Sequence, residues 1–296
     1  MRLLGISVVA TVLAAVSTHV AGSGATPTGG QEMAFRSHAL QAPVRLIVSL
    51  PSRYADGGRY PVVYFLHGLP ASSTAFRNIG FLRRALDTVA PQAIIVAPQA
   101  AREGESDPEY LDWGEGRNWE TALSRELPAY IDSHFRTIPN RRGRALIGLS
   151  AGGYGAMLIG LHHQGTFSVI QSWSGYYHPT DPDGTSALDL GSPAANARAS
   201  AHTLIQTLAH PRRPHPSFLG FYVGSGDTRF RDENIQLDAE LQAAGVPHRF
   251  NLYPGGHKQA LWSAHAAEWL GLALANLTAA SPPTTVAQPP QAAPTG

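Results

Sequence analysis

One serine flanked by glycines raises the first question about the chemistry of this chain. Ser150 stands in the pattern G-x-S-x-G, within the stretch ALIGLSAGGYGAM of residues 145–157. An apolar run typical of a buried strand ends at Gly148, and small residues compatible with a helix follow. Either Ser150 only caps that helix, or it is a nucleophile held on a sharp strand-to-helix turn. The pattern alone leaves both interpretations open.

Two further residues match what a nucleophilic serine requires. A serine hydroxyl needs a base to accept its proton, and that base needs an acid to orient it. On sheets that use the G-x-S-x-G turn, the chain order is serine, acid, histidine. Asp227 follows the strand-like run FLGFYVGSG, and His257 follows the run FNLYPGG. We therefore predict that Ser150, Asp227 and His257 form a catalytic triad.

Other residues of the same types are less suited to these roles. His248 lies inside a strand-like run and His265 inside a helical pattern, so packing or surface roles explain them. Asp232 and Glu233 fall in the first turn of a predicted helix, where carboxylates are favourable for structural reasons alone. Asp227 instead lies in the loop at the end of a strand, which is the better position for the acid.

The tetrahedral intermediate of ester cleavage needs two hydrogen-bond donors for its oxyanion. One predicted donor is the backbone N–H of Ala151, the residue after the nucleophile. The other is the N–H of Leu69, in the HGL loop that follows the strand-like run YFL. Pro70 has no N–H and is excluded. A plain glycine turn would also explain HGL, so this assignment depends on the serine motif.

Aromatic residues near the same strand ends are candidates for lining a substrate pocket. Tyr176 and Tyr177 follow the run VIQSWSG, and Trp113 lies in the stretch YLDWGEGRNW of residues 110–119. We predict that these three side chains bind substrate. The Pro- and Ala-rich segment 179–216 is predicted to form a cap beside the pocket entrance.

Composition and motifs argue against several other functions. A formal net charge of +1 offers no electrostatic basis for binding nucleic acid, and the lack of cysteine excludes thiolate chemistry. His162 and His163 are adjacent and are expected to diverge on a helix, and the His-rich segment 209–216 contains three prolines. The chain has no H-E-x-x-H motif and no strand-linked G-x-G-x-x-G motif. We expect no metal, no cofactor and no nucleic-acid partner, and nothing indicates a protein partner.

The elements that must position these residues alternate between strand-like and helical patterns from about residue 36 to 275. Strand-like runs cover residues 44–50, 60–68, 92–99, 144–150, 167–175, 217–226 and 248–256, and helical patterns cover residues 119–135, 151–163, 232–245 and 260–277. This alternation predicts one α/β domain with a mostly parallel sheet and helices on both faces. Functional groups of such sheets collect at the carboxyl ends of strands. Ser150, Asp227, His257 and the HGL loop all lie at such ends, which favours the nucleophile interpretation of Ser150.

The two ends of the chain differ in composition from this domain. Arg2 followed by the apolar run Leu3–Val16 and by small residues is typical of a secretory signal peptide, predicted over residues 1–22. Retention of this segment as an N-terminal anchor is the alternative. Residues 279–296 are rich in Pro, Ala and Thr and carry no charge, which predicts a disordered tail. We therefore expect a secreted or cell-envelope protein.

Four stretches of the chain are distinctive: NWETALSRELPAYID (118–132), ALIGLSAGGYGAM (145–157), SWSGYYHPT (172–180) and YPGGHKQALW (253–262). Together they resemble the esterase D-like family of α/β-hydrolases. The resemblance spans about residues 40–275 and implies the α/β-hydrolase fold. This family includes S-formylglutathione hydrolases, feruloyl esterase domains and secreted mycolyltransferases of the antigen 85 type. The first stretch is particularly similar to the mycolyltransferases.

The resemblance implies that Ser150 is the nucleophile, His257 the base, and Leu69 and Ala151 the oxyanion donors. The mycolyltransferases place a glutamate further along the acid loop, whereas the loop GSGDTRFRDEN here has Asp227 in the position of the esterases. We expect a secreted serine esterase that acts on a small-molecule or lipid ester. Acyl transfer to a sugar alcohol, and a secreted binding protein without catalysis, are the alternatives.

Overall fold

The computed structural model describes residues 30–89, 92–105, 109–181, 186–208 and 216–279. The predicted signal peptide lies outside these residues, and so does the predicted tail apart from its first residue. Parts of the predicted cap, residues 182–185 and 209–215, also lie outside them. Among the described residues, no helix has the length and apolar character needed to cross a membrane.

The centre of the fold is one sheet of eight strands in the order β1-β2-β4-β3-β5-β6-β7-β8. The strands are β1 Gln31–Ser37, β2 Ala42–Ser49, β3 Val62–Leu66, β4 Ile94–Pro98, β5 Arg144–Leu149, β6 Val169–Trp173, β7 Phe218–Gly224 and β8 Arg249–Tyr253. β1 pairs antiparallel with β2, and β2 pairs antiparallel with β4, whereas the pairs from β4 to β8 are all parallel. The prediction of a mostly parallel sheet is confirmed.

Helices cover both faces of this sheet. They are α1 Gly80–Val89, α2 Trp119–Thr121, α3 Leu127–His134, α4 Ala151–His162, α5 Pro193–Ala199, α6 Ala201–Ile205, α7 Arg231–Ala243 and α8 Gln259–Ala275. A π-helical segment, Ala122–Glu126, joins α2 to α3. The predicted helices over residues 119–135, 232–245 and 260–277 therefore agree with the structure to within one or two residues at each end.

Alternate residues of the strands pack against different helices, because successive side chains of a strand point to opposite faces. On one face, Tyr64 and Leu66 of β3 lie in a core with residues of α2, α3 and α4. On the other face, Val63 and Phe65 lie in a core with residues of α1 and α8. β3 is thus buried on both faces, which explains its continuous apolar sequence.

Helix α4, which begins directly after Ser150, is enclosed on all sides. Every residue from Ala151 to Leu161 is buried. Leu158 and Ile159 face the core shared with α3, whereas Met157 and Leu161 face a third core formed with α6 and α7. A helix that is apolar around its whole circumference is expected in such a position, and its burial fixes the turn that precedes it.

The sequence patterns do not predict four elements of the fold, which are β1, α1, α5 and α6. Strand β1 lies at the edge of the sheet, and only Phe35 and Ser37 of its seven residues are buried, so its sequence is mostly polar. The folded part therefore begins before residue 36. The predicted cap contains the short helices α5 and α6, where Ser192 caps the start of α5 through a hydrogen bond from the Ala195 N–H.

Candidate active site

Ser150 lies on a sharp turn between β5 and α4. Its backbone has φ 56° and ψ −121°, a conformation that costs a residue with a side chain about 1–3 kcal/mol. The neighbouring glycines make this turn possible. A Cβ atom at Gly148 would overlap the carbonyl of Gly152, and a Cβ atom at Gly152 would overlap the carbonyl of Leu66. The strand, the turn and the helix therefore pack backbone against backbone around Ser150.

The structure brings the three predicted triad residues into one hydrogen-bonded chain. Ser150 Oγ lies 3.0 Å from His257 Nε2, and His257 Nδ1 lies 2.7 Å from Asp227 Oδ2. These residues follow β5, β8 and β7, whose carboxyl ends meet at one edge of the parallel sheet. An ionised carboxylate can only accept a hydrogen bond, so the Nδ1–H of His257 donates to Asp227. Nε2 is then free to accept the Ser150 proton.

The carboxylate of Asp227 is buried and held on both oxygens. Its side chain is 1% exposed. Oδ2 faces His257, and Oδ1 accepts the backbone N–H of Arg229 at 3.3 Å. The N–H of Asp227 itself donates to the carbonyl oxygen of Gly224 at 3.0 Å. The loop after β7 therefore fixes the orientation of the carboxylate toward the imidazole.

Two aromatic side chains hold the His257 ring, and neither is predicted from the sequence to have this role. The Phe230 ring lies 5.2 Å from the imidazole and the Trp262 ring 5.1 Å from it, both edge to face. The indole N–H of Trp262 donates to Ser174 Oγ at 3.0 Å. Trp262 belongs to the stretch YPGGHKQALW, and Phe230 lies three residues after Asp227. In the sequence, the only sign that these two residues contact His257 is that each lies close to a predicted triad residue along the chain.

The competing acids and bases have other partners. His248 Nε2 lies 2.8 Å from Asp238 Oδ1, and the His265 ring stacks on Tyr253. Asp232 pairs with Arg231 on the surface. Glu233 accepts the N–H of Tyr177 and also contacts His178 and His202. None of these four carboxylates and imidazoles contacts Ser150.

The HGL loop lies against the predicted nucleophile. A Cβ atom at Gly68 would lie 2.9 Å from Ser150 Cβ, so only a glycine allows this approach. Leu69 and Ser150 line the same cavity, and Ala151 is the first residue of α4. Both predicted oxyanion donors therefore lie next to Ser150. Their role as donors remains a prediction.

His67, the first residue of that loop, forms an uncharged part of the cavity wall. Burial lowers the pKa of its imidazole below the ordinary value of 6.5, and a weaker opposing effect comes from its contact with the Gly68 carbonyl. Nδ1 lies 2.9 Å from that carbonyl oxygen. The backbone carbonyl of His67 accepts the hydroxyl of Tyr110. His67 is thus neutral at pH 7 and anchors the loop beside Ser150.

Ser150 and His257 of the predicted triad line a cavity of about 760 Å³, a size typical of small-molecule sites. Apolar and aromatic side chains form much of its wall, and arginine, asparagine and glutamine side chains add polar groups. The main lining residues are Phe65, His67, Leu69, Arg77, Asn78, Phe81, Leu149, Ser150, Tyr176, Arg229, Phe230, His257, Gln259 and Trp262. This cavity can accept an ester whose carbonyl carbon reaches Ser150 Oγ.

Of the three predicted pocket residues, the structure places only Tyr176 in this cavity. Tyr177 is fully buried, and its hydroxyl donates to Asn234 Oδ1 at 2.7 Å. Adjacent residues after β6 face different sides, so Tyr177 packs against Phe221 in the core instead. The prediction that Tyr177 contacts substrate is corrected accordingly.

Trp113 also lies away from the triad. Its side chain is 37% exposed and lines a separate cavity of about 260 Å³. His162 and Arg198 line that cavity as well, and the guanidinium of Arg117 lies 5.8 Å from the Trp113 ring. Ser150 does not line that second cavity, and Trp113 does not line the cavity at Ser150, which corrects the prediction that Trp113 lines the substrate pocket.

The rings of His162 and His163 converge on one carboxylate, so the prediction that these adjacent histidines diverge is wrong. His162 Nδ1 and His163 Nε2 each lie 2.8 Å from the same oxygen of Glu120. His163 follows the end of α4 with φ −116° and ψ 46°, so its ring can turn back. Burial raises the pKa of Glu120, but hydrogen bonds from both histidines outweigh this and bring it to about 2. Among the described residues, no group of three or more histidine, aspartate or glutamate side chains has an arrangement that could hold a metal ion.

The glycines of the turn provide a direct test of this geometry. We expect Gly148→Ala to lower the free energy of unfolding by more than about 3 kcal/mol, or to prevent folding, because its methyl group would meet backbone atoms that cannot move aside. Gly165→Ala is the matched control, since a Cβ atom there meets nothing within 4 Å. Urea unfolding followed by circular dichroism measures both. Equal stabilities for the two variants would contradict the packing described here.

Comparison with known proteins identifies relatives among esterases. An esterase of Mycobacterium tuberculosis is 28% identical over 71% of this chain and 51% of its own length. The MPT51/MPB51 antigen of the same organism is 30% identical over 55% of this chain and 56% of its own length. The chain thus spans about half the length of these curated relatives.

Solved structures of esterases share the fold. An S-formylglutathione hydrolase from Agrobacterium tumefaciens superposes with a TM-score of 0.70 and 22% identity, over 86% of this chain and 98% of that chain. A ferulic acid esterase superposes with a TM-score of 0.66 and 24% identity, over 83% and 98% of the two chains. These likenesses confirm the α/β-hydrolase fold that the resemblance implied.

The family itself follows from the match over most of the domain. Residues 37–270 match the family described as "Putative esterase". This range includes the turn at Ser150, the acid loop at Asp227 and the loop at His257, and it agrees with the resemblance noted from four short stretches. The chain belongs to the putative esterase family of α/β-hydrolases.

Proposed function

We propose that this protein is a serine esterase that hydrolyses carboxylic esters through an acyl-enzyme on Ser150. The observation that carries the proposal is the hydrogen-bonded chain from Ser150 Oγ through His257 to Asp227, at 3.0 and 2.7 Å, at the wall of a cavity. Membership of an esterase family supports the same activity. A binding protein without catalysis would have no need for this geometry.

In the first half of the reaction, Ser150 Oγ attacks the ester carbonyl carbon while His257 Nε2 takes the hydroxyl proton. The carbonyl oxygen becomes negatively charged, and the N–H groups of Ala151 and Leu69 donate to it. The bond to the alcohol oxygen then breaks, and His257 gives its proton to that oxygen. The products of this half are the free alcohol and an acyl group bound to Ser150.

In the second half, water replaces the alcohol. The oxygen of a water molecule attacks the acyl carbon while His257 accepts a proton from that water. The same oxyanion donors stabilise the second tetrahedral intermediate. The bond to Ser150 Oγ breaks, and His257 returns the proton to the serine. Ester and water have become acid and alcohol. Asp227, buried beside Nδ1, stabilises the imidazolium that forms in each half.

The cavity favours a small-molecule or lipid ester of moderate size. Phe65, Phe81 and Leu149 form an apolar part of the wall that would accept an acyl chain or an aromatic ring. Tyr176 lies nearby, stacked on Tyr154 and with its hydroxyl donating to the buried Glu109. Its ring is therefore held rigidly, as a wall that limits the shape of the substrate.

We expect Ser150→Ala to lower kcat for p-nitrophenyl acetate by about 10³-fold or more, because the acyl-enzyme cannot form. Ser133→Ala, a change on an exposed helical position, serves as the matched control and should keep wild-type activity. Release of p-nitrophenolate measures both. Turnover by a folded Ser150→Ala protein at the wild-type rate would refute the role of Ser150.

Acyl transfer is the second candidate function. It is favoured by similarity to a Mycobacterium leprae protein named diacylglycerol acyltransferase/mycolyltransferase Ag85A, which is 36% identical over 24% of this chain. Transfer uses the same acyl-enzyme and differs only in the acceptor. We expect water to be the main acceptor, so that adding trehalose or glycerol to the ester assay leaves free acid as the dominant product. Mass spectrometry of the products measures this, and a dominant sugar or glycerol ester would establish transfer instead.

We also propose export from the cell, on the basis of the charged residue, apolar run and small residues within residues 1–22. Association with the cell envelope follows if this segment is retained as an anchor. The expected result for full-length protein expressed in a bacterium is recovery from the culture medium with a new N-terminus near residue 22. Uncleaved protein confined to the cytoplasm would contradict export.

A further inference from the structure

We propose that the preferred ester carries a negatively charged group near its reacting bond, and that Arg229 binds this group. The inference rests on the proposed esterase function and specifies its substrate class. It goes beyond the triad, because neither the nucleophile nor the oxyanion donors distinguish a charged ester from a neutral one.

The cavity at Ser150 has an excess of positive charge. Arg77 and Arg229 both line it, whereas no aspartate or glutamate does so among the described residues. His67 is held neutral by burial. Asp227 is buried behind His257 and faces the imidazole rather than the cavity. A substrate in the cavity therefore meets cationic groups without nearby anions, which attracts negative charge.

Arg77 already has a partner for its charge. Its guanidinium makes two hydrogen bonds to Glu32, each 2.9 Å long. Arg45 also bonds to Glu32. The Glu32 carboxylate thus pairs with two guanidinium groups, those of Arg77 and Arg45. Arg77 is held in place by these contacts and is less available for a ligand.

Arg229 has no such partner. Within the described ranges, no carboxylate oxygen lies within 4.0 Å of its guanidinium, although the neighbouring Arg231 pairs with Asp232 at 2.8 Å. The Arg229 guanidinium instead lies over the Phe230 ring, 4.8 Å from its centre. A cation over an aromatic face is held there by a modest attraction and keeps its hydrogen-bond donors available.

The position of Arg229 relates its charge to the reaction. Its backbone N–H donates to Asp227, and the Phe230 ring beneath its guanidinium also contacts His257. The Arg229 guanidinium is therefore held close to Asp227 and His257, the two proposed triad residues that follow β7 and β8. A guanidinium binds carboxylate, sulfonate or phosphate groups through paired N–H donors. An ester with such a group in its acyl or alcohol part would be oriented by Arg229 while its carbonyl reaches Ser150.

Two pairs of matched esters test this inference and distinguish the two parts of the substrate. In the alcohol pair, para-acetoxybenzenesulfonate is compared with the neutral para-acetoxybenzenesulfonamide. In the acyl pair, the p-nitrophenyl monoester of adipic acid is compared with p-nitrophenyl methyl adipate. For each pair, the readout is the ratio of kcat/KM for the charged ester to that for the neutral one. A general loss of activity in a variant cancels in this ratio.

We expect Arg229→Gln to lower this ratio by about three- to tenfold in at least one pair. Loss of an exposed contact between opposite charges changes binding by about this factor. Arg231→Gln is the matched control, because Arg231 is the neighbouring arginine with a partner, and it should keep the wild-type ratio. Raising the salt concentration should lower the wild-type ratio toward that of Arg229→Gln.

Unchanged ratios in Arg229→Gln for both pairs would overturn the inference, and so would an equal fall in Arg231→Gln. Hydrolysis of the neutral esters by wild-type protein tests the esterase function separately. If wild-type protein hydrolyses them while the ratios do not depend on Arg229, the charge inference alone fails. If wild-type protein hydrolyses none of the four esters, the proposed function fails first.

Discussion

The turn at Ser150 is the constraint on which the rest of the site depends. A serine with φ 56° is tolerated only because β5 and α4 meet backbone to backbone through Gly148 and Gly152. The buried helix α4 cannot move away, since two cores enclose it. The strain in the turn is therefore held by packing, and the Ser150 side chain points from the sheet edge into the cavity.

The parallel sheet places the other two predicted triad residues beside this turn. β5, β7 and β8 run in the same direction, so the loops after them meet at one edge. These loops bring the side chains of Ser150, Asp227 and His257 within hydrogen-bond distance, although the three residues are far apart in the sequence. Aromatic rings then fix the imidazole, and the carboxylate behind it is buried.

Sequence reasoning could predict the seven strands from β2 to β8, the helical segments 119–135, 151–163, 232–245 and 260–277, and the triad candidates. The strands and these helices have periodic or continuous apolar patterns, and each triad candidate follows the end of a strand. It could not predict which way individual side chains face. Tyr176 and Tyr177 are adjacent and chemically alike, yet Tyr176 packs in the core that borders the cavity, whereas Tyr177 packs in a different core. His163 turns back toward Glu120 because the helix has already ended. Edge strand β1 was missed since its polar sequence has few buried positions.

The central claim is that the turn and the hydrogen-bonded chain make Ser150 the activated nucleophile among the serines of this protein. The most direct measurement is the mass of the intact, folded protein after reaction with a fluorophosphonate, followed by peptide mapping of the modified site. The account predicts a single adduct per chain, with fluoride displaced by Ser150 Oγ. An adduct on a different serine, or none on protein shown to be folded, would contradict it.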